Sequence, residues 1–377
     1  MKISFLCMDL SDNSLGRAAL LARVLSRHYE VELIGPAKTG GVWFPLRDLG
    51  LPVKLFPWRR YPGFACTARD MLKAIEGDIL FACKLRPTSF GLGLLGKLRT
   101  GKPLVVDIDD WELGFFCHTD FWGKLGRFLN LSNPNGLPYV WLMEKLAGLA
   151  DAVTVSNRFL QGRFSGELLY HCRDTSALDP ARHDPLKVRR RLGLEGKKIV
   201  MFLGTPRAHK GIDDVADALS RVRSADAHLV LVGVDKNFSF PEKWSAIKDR
   251  TTLVPQVPFE ELGDYLASAD VVAVPQRQTS DTAGQMPAKI FDAMAMARPI
   301  VSTRVSDIPE VLSDCGYLVA PGNPQQLADA IDRVLEREEE ARRKGQMARD
   351  RCVRLYDIKV LEERLLSVVS KVARKSN

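Results

Sequence analysis

The chain of 377 residues has no CxxC pair among its seven cysteines, which stand at positions 7, 66, 83, 117, 172, 315 and 352. That scatter excludes a zinc ribbon and a disulfide framework and fits reduced thiols in the cytoplasm. The six histidines show neither HxxxH nor HExxH spacing, so a zinc hydrolase has no support. GxSxG and Walker A sequences are absent as well. No uninterrupted apolar run reaches the ~18 residues that a membrane-spanning helix needs. The opening MKISFLCMDL has no secretory h-region and reads as a first buried strand. What remains is ordinary for a folded protein: 46% hydrophobic and 27% charged residues exclude general disorder. An excess of 54 basic over 46 acidic residues, a net charge of +8, invites an anionic partner.

Short β-branched runs alternate with longer helical patterns. KISFLCM, VELIGP, DILFACK, PLVVDID and DAVTVS form one series; IVMFLG, HLVLVG, TTLVPQV, DVVAVP, PIVSTRV and GYLVA form a second. Strands separated by room for crossover helices predict parallel sheets covered on both faces. The fold class is therefore α/β, with two doubly wound domains. The polar stretch 179–191, with Pro180 and Pro185 and no strand pattern, reads as the linker. Domain limits are set at 1–180 and 181–356, the first completed by 357–377. In that tail, a break is expected near Tyr356–Asp357. Val360, Leu361, Leu365, Val368 and Val372 follow at helical spacing and need a surface to bury against.

Two motifs are read as decoys. Gly91, Gly93 and Gly96 match GxGxxG literally, but they lie in a helical run instead of at a first strand-to-helix turn, so close helix packing explains them better. Asp107 and Asp109 form a DxD at the end of a strand. Metal ligation is one reading; a strand-end carboxylate cluster in a cleft is the favoured one. The basic run at 188–198 lacks interleaved aromatic residues and reads as a solvated helix and turn, so nucleic acid is not expected as a partner.

Two further elements carry chemistry. The strand IVMFLG runs into Gly204, Thr205, Arg207 and Lys210 before another helix, a loop in which two cations and backbone N–H groups can meet a diphosphate. A second loop, Gly284, Gln285, Met286 and Pro287, enters a helix carrying Lys289 and Asp292. Pro287 suits a first helical turn, whose exposed N–H groups attract anions. Asp292 can accept hydrogen bonds from sugar hydroxyls. Taken singly, Asp292 reads as a surface carboxylate and Lys289 as a solvated side chain.

Together, this basic loop ending in KG, then PxKxFDAMAxxxPIV about 75 residues on, resembles the C-terminal domain of GT-B glycosyltransferases, particularly glycosyltransferase family 4. The resemblance extends to VSNRFL at 155–160, VPFEELGDYLASADVVAVP at 257–275 and SDIPEVLSDCGYLVAPGNPQQLADAI at 306–331. It implies two Rossmann-like domains facing a cleft, with the C-terminal helix crossing back to the N-terminal domain. It also implies a cytoplasmic glycosyltransferase moving a sugar from a nucleoside diphosphate sugar to a glycan, lipid-linked or small-molecule acceptor. Retention of configuration comes with the likeness. Arg207 and Lys210 would hold the diphosphate, Asp292 the ribose, and Gly16 would lie near the donor. The loop Gly284–Lys289 would assist without a metal; no cofactor is expected, the nucleotide sugar being a substrate. Three positions depart from the family pattern. Gly284 replaces the first carboxylate of an acidic pair, for which Asp281 or Gln285 can substitute. Thr205 stands where an arginine is common, and Asp109 where a histidine is common, facing the acceptor. The alternatives are a non-catalytic nucleotide-sugar-binding protein and another GT-B enzyme such as a sugar epimerase. Phe121, Trp122, Leu125, Phe128 and Leu129, interleaved with Lys124 and Arg127, read first as core or cleft and second as a peripheral contact with the inner membrane face.

Overall fold

Thirteen strands form two sheets in the computed structural model, which describes residues 1–117, 121–235 and 238–374. The first sheet contains β1 (Lys2–Leu6), β2 (Glu30–Ala37), β3 (Val53–Pro57), β4 (Ile79–Cys83), β5 (Leu104–Ile108), β6 (Ala152–Val155) and β7 (Glu167–Leu168). The second contains β8 (Lys198–Leu203), β9 (Ala227–Val234), β10 (Thr251–Pro255), β11 (Val271–Val274), β12 (Ile300–Thr303) and β13 (Tyr317–Val319). Their orders are β3-β2-β1-β4-β5-β6-β7 and β10-β9-β8-β11-β12-β13, with parallel pairing throughout. The two-sheet α/β expectation holds. Aliphatic strands covered on both faces account for it: β4 and β5 are buried at every position. Phe5 of β1 lies in register with Phe81 of β4, and their rings stack with centroids 4.6 Å apart.

The chain divides into two compact units. The first comprises Met1–Tyr170, Ala283–Met286 and Leu361–Asn377; the second comprises His171–Thr282 and Pro287–Val360. The stretch 179–191 thus lies inside the second unit. It includes a helix, Pro185–Leu192, whose N-cap Asp184 accepts from the Leu186 N–H. Lys187 and His183 both reach Asp264, at 2.6 and 2.8 Å.

In each sheet the order reverses beside a central strand, between β1 and β4 and between β8 and β11. Loops leaving the carboxyl ends of these strands border the crevices where open α/β sheets bind ligands. The literal GxGxxG lies elsewhere: Gly91 ends the helical turn Pro87–Gly91, and Gly93 and Gly96 lie on the helix Leu92–Thr100. A Cβ on Gly93 would come within 2.6 Å of Leu104 Cδ1, and one on Gly96 within 2.9 Å of Leu80 Cδ1. These glycines let the helix approach β4 and β5, as close packing requires.

The C-terminal segment breaks between the helices Glu338–Leu355 and Ile358–Arg374. Leu361, Leu365, Val368 and Val372 are buried. Glu362 binds Arg27 and His28, and Arg364 donates to the Leu168 carbonyl at 3.1 Å, so this helix completes the first unit. No helix among the described residues is long and apolar enough to cross a membrane.

Candidate functional site

In the second unit, β8 delivers the loop 204–211 to its carboxyl end. Gly211 has a φ of 71°, and a Cβ there would sit 1.8 Å from the Pro275 carbonyl oxygen. The loop after β8 therefore presses against the strand end of β11, an approach only glycine permits. Arg277 clasps the same place. Its backbone N–H donates to the His209 carbonyl at 2.9 Å, and its guanidinium holds Asp214 at 2.9 and 2.6 Å. In this frame Lys210 Nζ donates to the Thr205 carbonyl at 3.2 Å. Arg207 is exposed, and its side chain makes no hydrogen bond or ion pair among the described residues, while its carbonyl accepts from the Lys210 N–H at 2.9 Å. Gly211→Ala is expected to destabilise the protein by about 1–3 kcal/mol through strain and collision, measured by urea unfolding.

The helix Ala288–Ala295 begins after Pro287. Both of its polar side chains are more enclosed than the sequence alone indicates. Lys289 is half-buried, its Nζ 4.1 Å from the centroid of the Phe202 ring on β8. Burial pushes its amine well below the ordinary lysine value; the Lys210 charge pushes the same way, and Asp292 opposes. Asp292 is buried and gripped by Arg173: Nε meets Oδ1, and a terminal nitrogen meets Oδ2 at 3.2 Å. The same guanidinium donates to the Cys172 carbonyl at 2.9 Å. Arg173 is anchored by its backbone too, its N–H donating to Tyr356 and its carbonyl accepting from Ile358, each at 2.9 Å. Sequence reasoning missed Arg173. It sits 119 positions from Asp292 in an irregular segment, and no motif marks it.

In the first unit the structure groups the strand-end acids around one lysine. Lys84 follows β4 with a φ of 74° and is buried. Its Nζ reaches Asp109 at 2.7 Å, Asp110 at 2.5 Å and Glu112 at 3.5 Å. Burial works against that charge, but the three carboxylates hold the ammonium well above the usual lysine range. Arg86 engages Glu112 as well, so two cations face three carboxylates. Burial, opposed by Lys84 and reinforced by Asp110 and Asp107, pushes Asp109 up to about 7. Asp107 turns into the core, where Arg17 binds both oxygens at 3.0 Å and Thr154 donates at 2.7 Å. Neither carboxylate of the DxD pair is exposed: Asp107 is spent on Arg17 and Thr154, and Asp109 is buried against Lys84.

The raised Asp109 value has a stability consequence. The native state binds the proton more tightly than the unfolded chain, so this contribution is present below pH ~4 and is lost as pH rises through about 7. Asp109→Asn is expected to flatten that part of the Tm profile between pH 4 and 8. An unchanged slope would contradict the assignment.

Gly284, Gln285 and Met286 are grouped with the first unit. A Cβ on Gly284 would lie 2.4 Å from Trp111 Cβ and 2.9 Å from its backbone nitrogen. Trp111 is itself fixed, with Nε1 donating to Glu144 at 3.2 Å and the Arg163 guanidinium 4.9 Å from its ring centroid. The tryptophan thus occupies the space a side chain would need. Gly284→Glu, which would place a carboxylate against Trp111, is expected to cost about 1–3 kcal/mol, measured by urea unfolding. Met286 is buried, and Gly16 lies in the first turn of the helix Leu15–Leu25 with Trp43 3.9 Å from its Cβ position. The interfacial reading of 121–129 falls partly outside the described residues, since the side chains of Phe121, Trp122, Lys124 and Leu125 are not described. Phe128 and Leu129 are exposed, as are Leu131, Trp141 and Leu142.

Comparison with known proteins adds independent findings. Residues 197–337 match the family model "Glycosyl transferases group 1". The alpha-D-kanosaminyltransferase of Streptomyces kanamyceticus is 23% identical over 193 residues, 49% of this chain and 49% of that protein. The N-acetyl-alpha-D-glucosaminyl L-malate synthase of Bacillus anthracis is 29% identical over 176 residues, 45% of this chain and 44% of that protein. The chain thus spans about half the length of these curated relatives. In fold, Anabaena Alr3699/HepE, solved in complex with UDP-glucose, superposes with a TM-score of 0.79 at 18% identity, covering 98% of this chain and 99% of that one. The chain therefore has a GT-B fold, and its residues 197–337 match the model of glycosyl transferases group 1.

Proposed function

We propose that this protein is a glycosyltransferase that moves a sugar from a nucleoside diphosphate sugar to an acceptor hydroxyl, with retention and without a metal. One observation carries the reading. Lys210 on the loop after β8 and Lys289 on the helix that follows β11 stand beyond the carboxyl ends of two paired strands, at the point where the second sheet reverses its order, and Lys289 Nζ rests over Phe202 of β8. The departing group is a diphosphate. As the anomeric C–O bond breaks, its electron pair goes to the phosphate oxygen, and cations placed in advance stabilise that charge. Lys210 and Arg207 would do so, with the helix start at Pro287–Lys289 adding N–H dipoles. Asp292, oriented by Arg173, would accept from the ribose hydroxyls. Asp109 would orient the acceptor hydroxyl. Thr205, Gln285, Met286 and Gly16 would line the donor.

The test is a thermal-shift screen of UDP-, GDP- and ADP-sugars, followed by mass spectrometry of products with glycan, lipid-linked and small-molecule acceptors. EDTA is expected to leave transfer unchanged; complete loss restored by Mn²⁺ would refute metal independence. The packing of Trp111 against Gly284, where relatives commonly hold a carboxylate, favours a second reading, binding of the nucleotide sugar without turnover. Donor binding with no product across the acceptor panel would select it. The exposed Phe128, Leu129, Leu131, Trp141 and Leu142 support a peripheral membrane contact in the first reading. Sedimentation with anionic vesicles at low salt is expected, and its absence would remove that contact.

A further inference from the structure

Three cations at one end of the first sheet have no carboxylate partner among the described residues. Strands β2 and β3 pair in parallel, with Ala37 opposite Pro57 at their carboxyl ends. Lys38 and Trp58 come next along the two segments, and Lys38 Nζ stands 5.4 Å from the centroid of the Trp58 ring. Arg59 and Arg60 follow at once. Other basic residues of these segments are matched: Arg47 with Asp48, Lys54 with Glu32 and Glu76, and Arg69 with Asp70. The side chains of Lys38 and Arg59 make no hydrogen bond or ion pair among the described residues. Arg60 donates to the Ser132 hydroxyl at 3.4 Å. All three are exposed, and no acidic residue occurs between 33 and 47 or between 49 and 69. Their backbones are nonetheless held. The Lys38 N–H donates to Ser11 Oγ at 2.9 Å, and that hydroxyl donates to the buried Asp9 at 2.6 Å. The Tyr61 N–H donates to the Ser132 carbonyl at 2.8 Å, and the Tyr61 ring lies 5.4 Å from those of Phe64 and Tyr139. A Cβ on Gly40 or Gly41 would meet nothing within 4 Å, so the space beside Lys38 is open.

We propose that Lys38, Arg59 and Arg60 bind a phosphate group carried by the acceptor, with the Trp58 ring beside it. The inference rests on the transferase reading, which puts the acceptor on the first unit, and it names the acceptor's chemistry. Paired strands lie about 4.8 Å apart and successive Cα atoms about 3.8 Å apart, so the three long side chains spring from one patch. Like charges gathered there repel one another, and an anion relieves the repulsion. One guanidinium fork satisfies a carboxylate. A phosphate, with more oxygens and more charge, uses two forks and a point charge together. Trp58 offers an apolar face to whatever carries the phosphate. The hydrogen bonds from Lys38 to Ser11 and from Tyr61 to Ser132 fix the chain in advance and lower the ordering cost of binding. The place also fits, because open α/β sheets take ligands at the carboxyl ends of their strands. Asp109 follows β5, which β1 and β4 separate from β2 in the sheet order. The phosphate is thus remote from the reacting hydroxyl, and its loss falls on KM before kcat.

The soluble probes are glucose 6-phosphate, inorganic phosphate and glucose, titrated calorimetrically into the full chain at neutral pH and constant ionic strength. Glucose 6-phosphate is expected to bind about tenfold or more tightly than glucose, with inorganic phosphate binding as well. The variant Lys38→Gln/Arg59→Gln/Arg60→Gln is expected to lose that preference at a Tm close to native, since these exposed side chains hold little else. Lys210→Ala is expected to keep it. Vesicles of phosphatidylcholine, alone or with an equal part of phosphatidylinositol, separate the two sources of phosphate. Sedimentation with the mixed vesicles that fails in the triple variant supports the site and assigns the phosphate to a lipid headgroup. Binding of glucose 6-phosphate that the triple variant loses, with equal sedimentation of both proteins, assigns it to a soluble acceptor. If glucose 6-phosphate binds no more tightly than glucose and the triple variant sediments like the native protein, the site is overturned. Phosphate binding lost in Lys210→Ala and kept in the triple variant overturns it too. Thermal shifts of native and triple variant with UDP-, GDP- and ADP-sugars decide the donor reading separately: equal shifts leave that reading intact, and none in either protein removes it.

Discussion

Lys210→Ala is expected to lower the transfer rate by about 10²–10³-fold while the protein remains folded. The side chain lies on a loop whose path is set by other contacts: Gly211 against Pro275, and Arg277 on His209 and Asp214. Removing the ammonium deletes the hydrogen bond to the Thr205 carbonyl, and the side chain is not one of the buried core residues. On the proposed reading, it would also delete a charge that serves the leaving diphosphate. The loss should therefore fall on kcat, with circular dichroism and Tm close to native. Arg207→Ala should act in the same direction and more mildly, because that side chain is exposed and not held in one position. Near-normal kcat in a well-folded Lys210→Ala protein would remove the assignment.

Arg173→Leu is expected to produce the largest loss of stability, about 3–5 kcal/mol, because it leaves Asp292 buried without its counter-ion. The pair holds more than itself together. Arg173 joins Tyr356 and Ile358 by backbone hydrogen bonds, and the adjoining Thr175 donates to Asp357. The double variant Arg173→Leu/Asp292→Leu should recover part of the loss, since neither charge is then stranded. Urea unfolding of native, single and double variants gives the coupling directly. If the single and double variants lose the same stability, the ion pair is not what Arg173 contributes.

Much of the fold was legible because it depends on local pattern. Aliphatic runs buried on both faces and spaced by helices announce parallel strands, and the apolar stripe from Leu361 to Val372 announces a helix that must be covered. The loop cations were legible too, since a strand, a glycine and two basic residues are contiguous. What could not be read is set by distant partners. Asp292 looks like a surface carboxylate on its helix until Arg173 arrives from 119 positions away. Lys289 looks solvated until Phe202 of β8 lies beneath it. Nothing in KLRP announces that Lys84 adopts a φ of 74° and gathers three carboxylates. The basic run from 188 was legible as a solvated helix, but its start at Pro185, inside the stretch read as a linker, was not, because only Val188 of Pro185–Leu192 is buried.

The central claim, that the cations of the second unit serve a departing diphosphate, is tested most directly by donor turnover. Native protein and Lys210→Ala would be incubated with UDP-, GDP- and ADP-sugars and the acceptor panel, and nucleoside diphosphate release would be followed together with product mass. The account predicts that one donor class yields nucleoside diphosphate and glycosylated product in equal amounts, and that both fall together in Lys210→Ala. Equal release by the two proteins, or a sugar altered while still joined to its nucleotide, would contradict it.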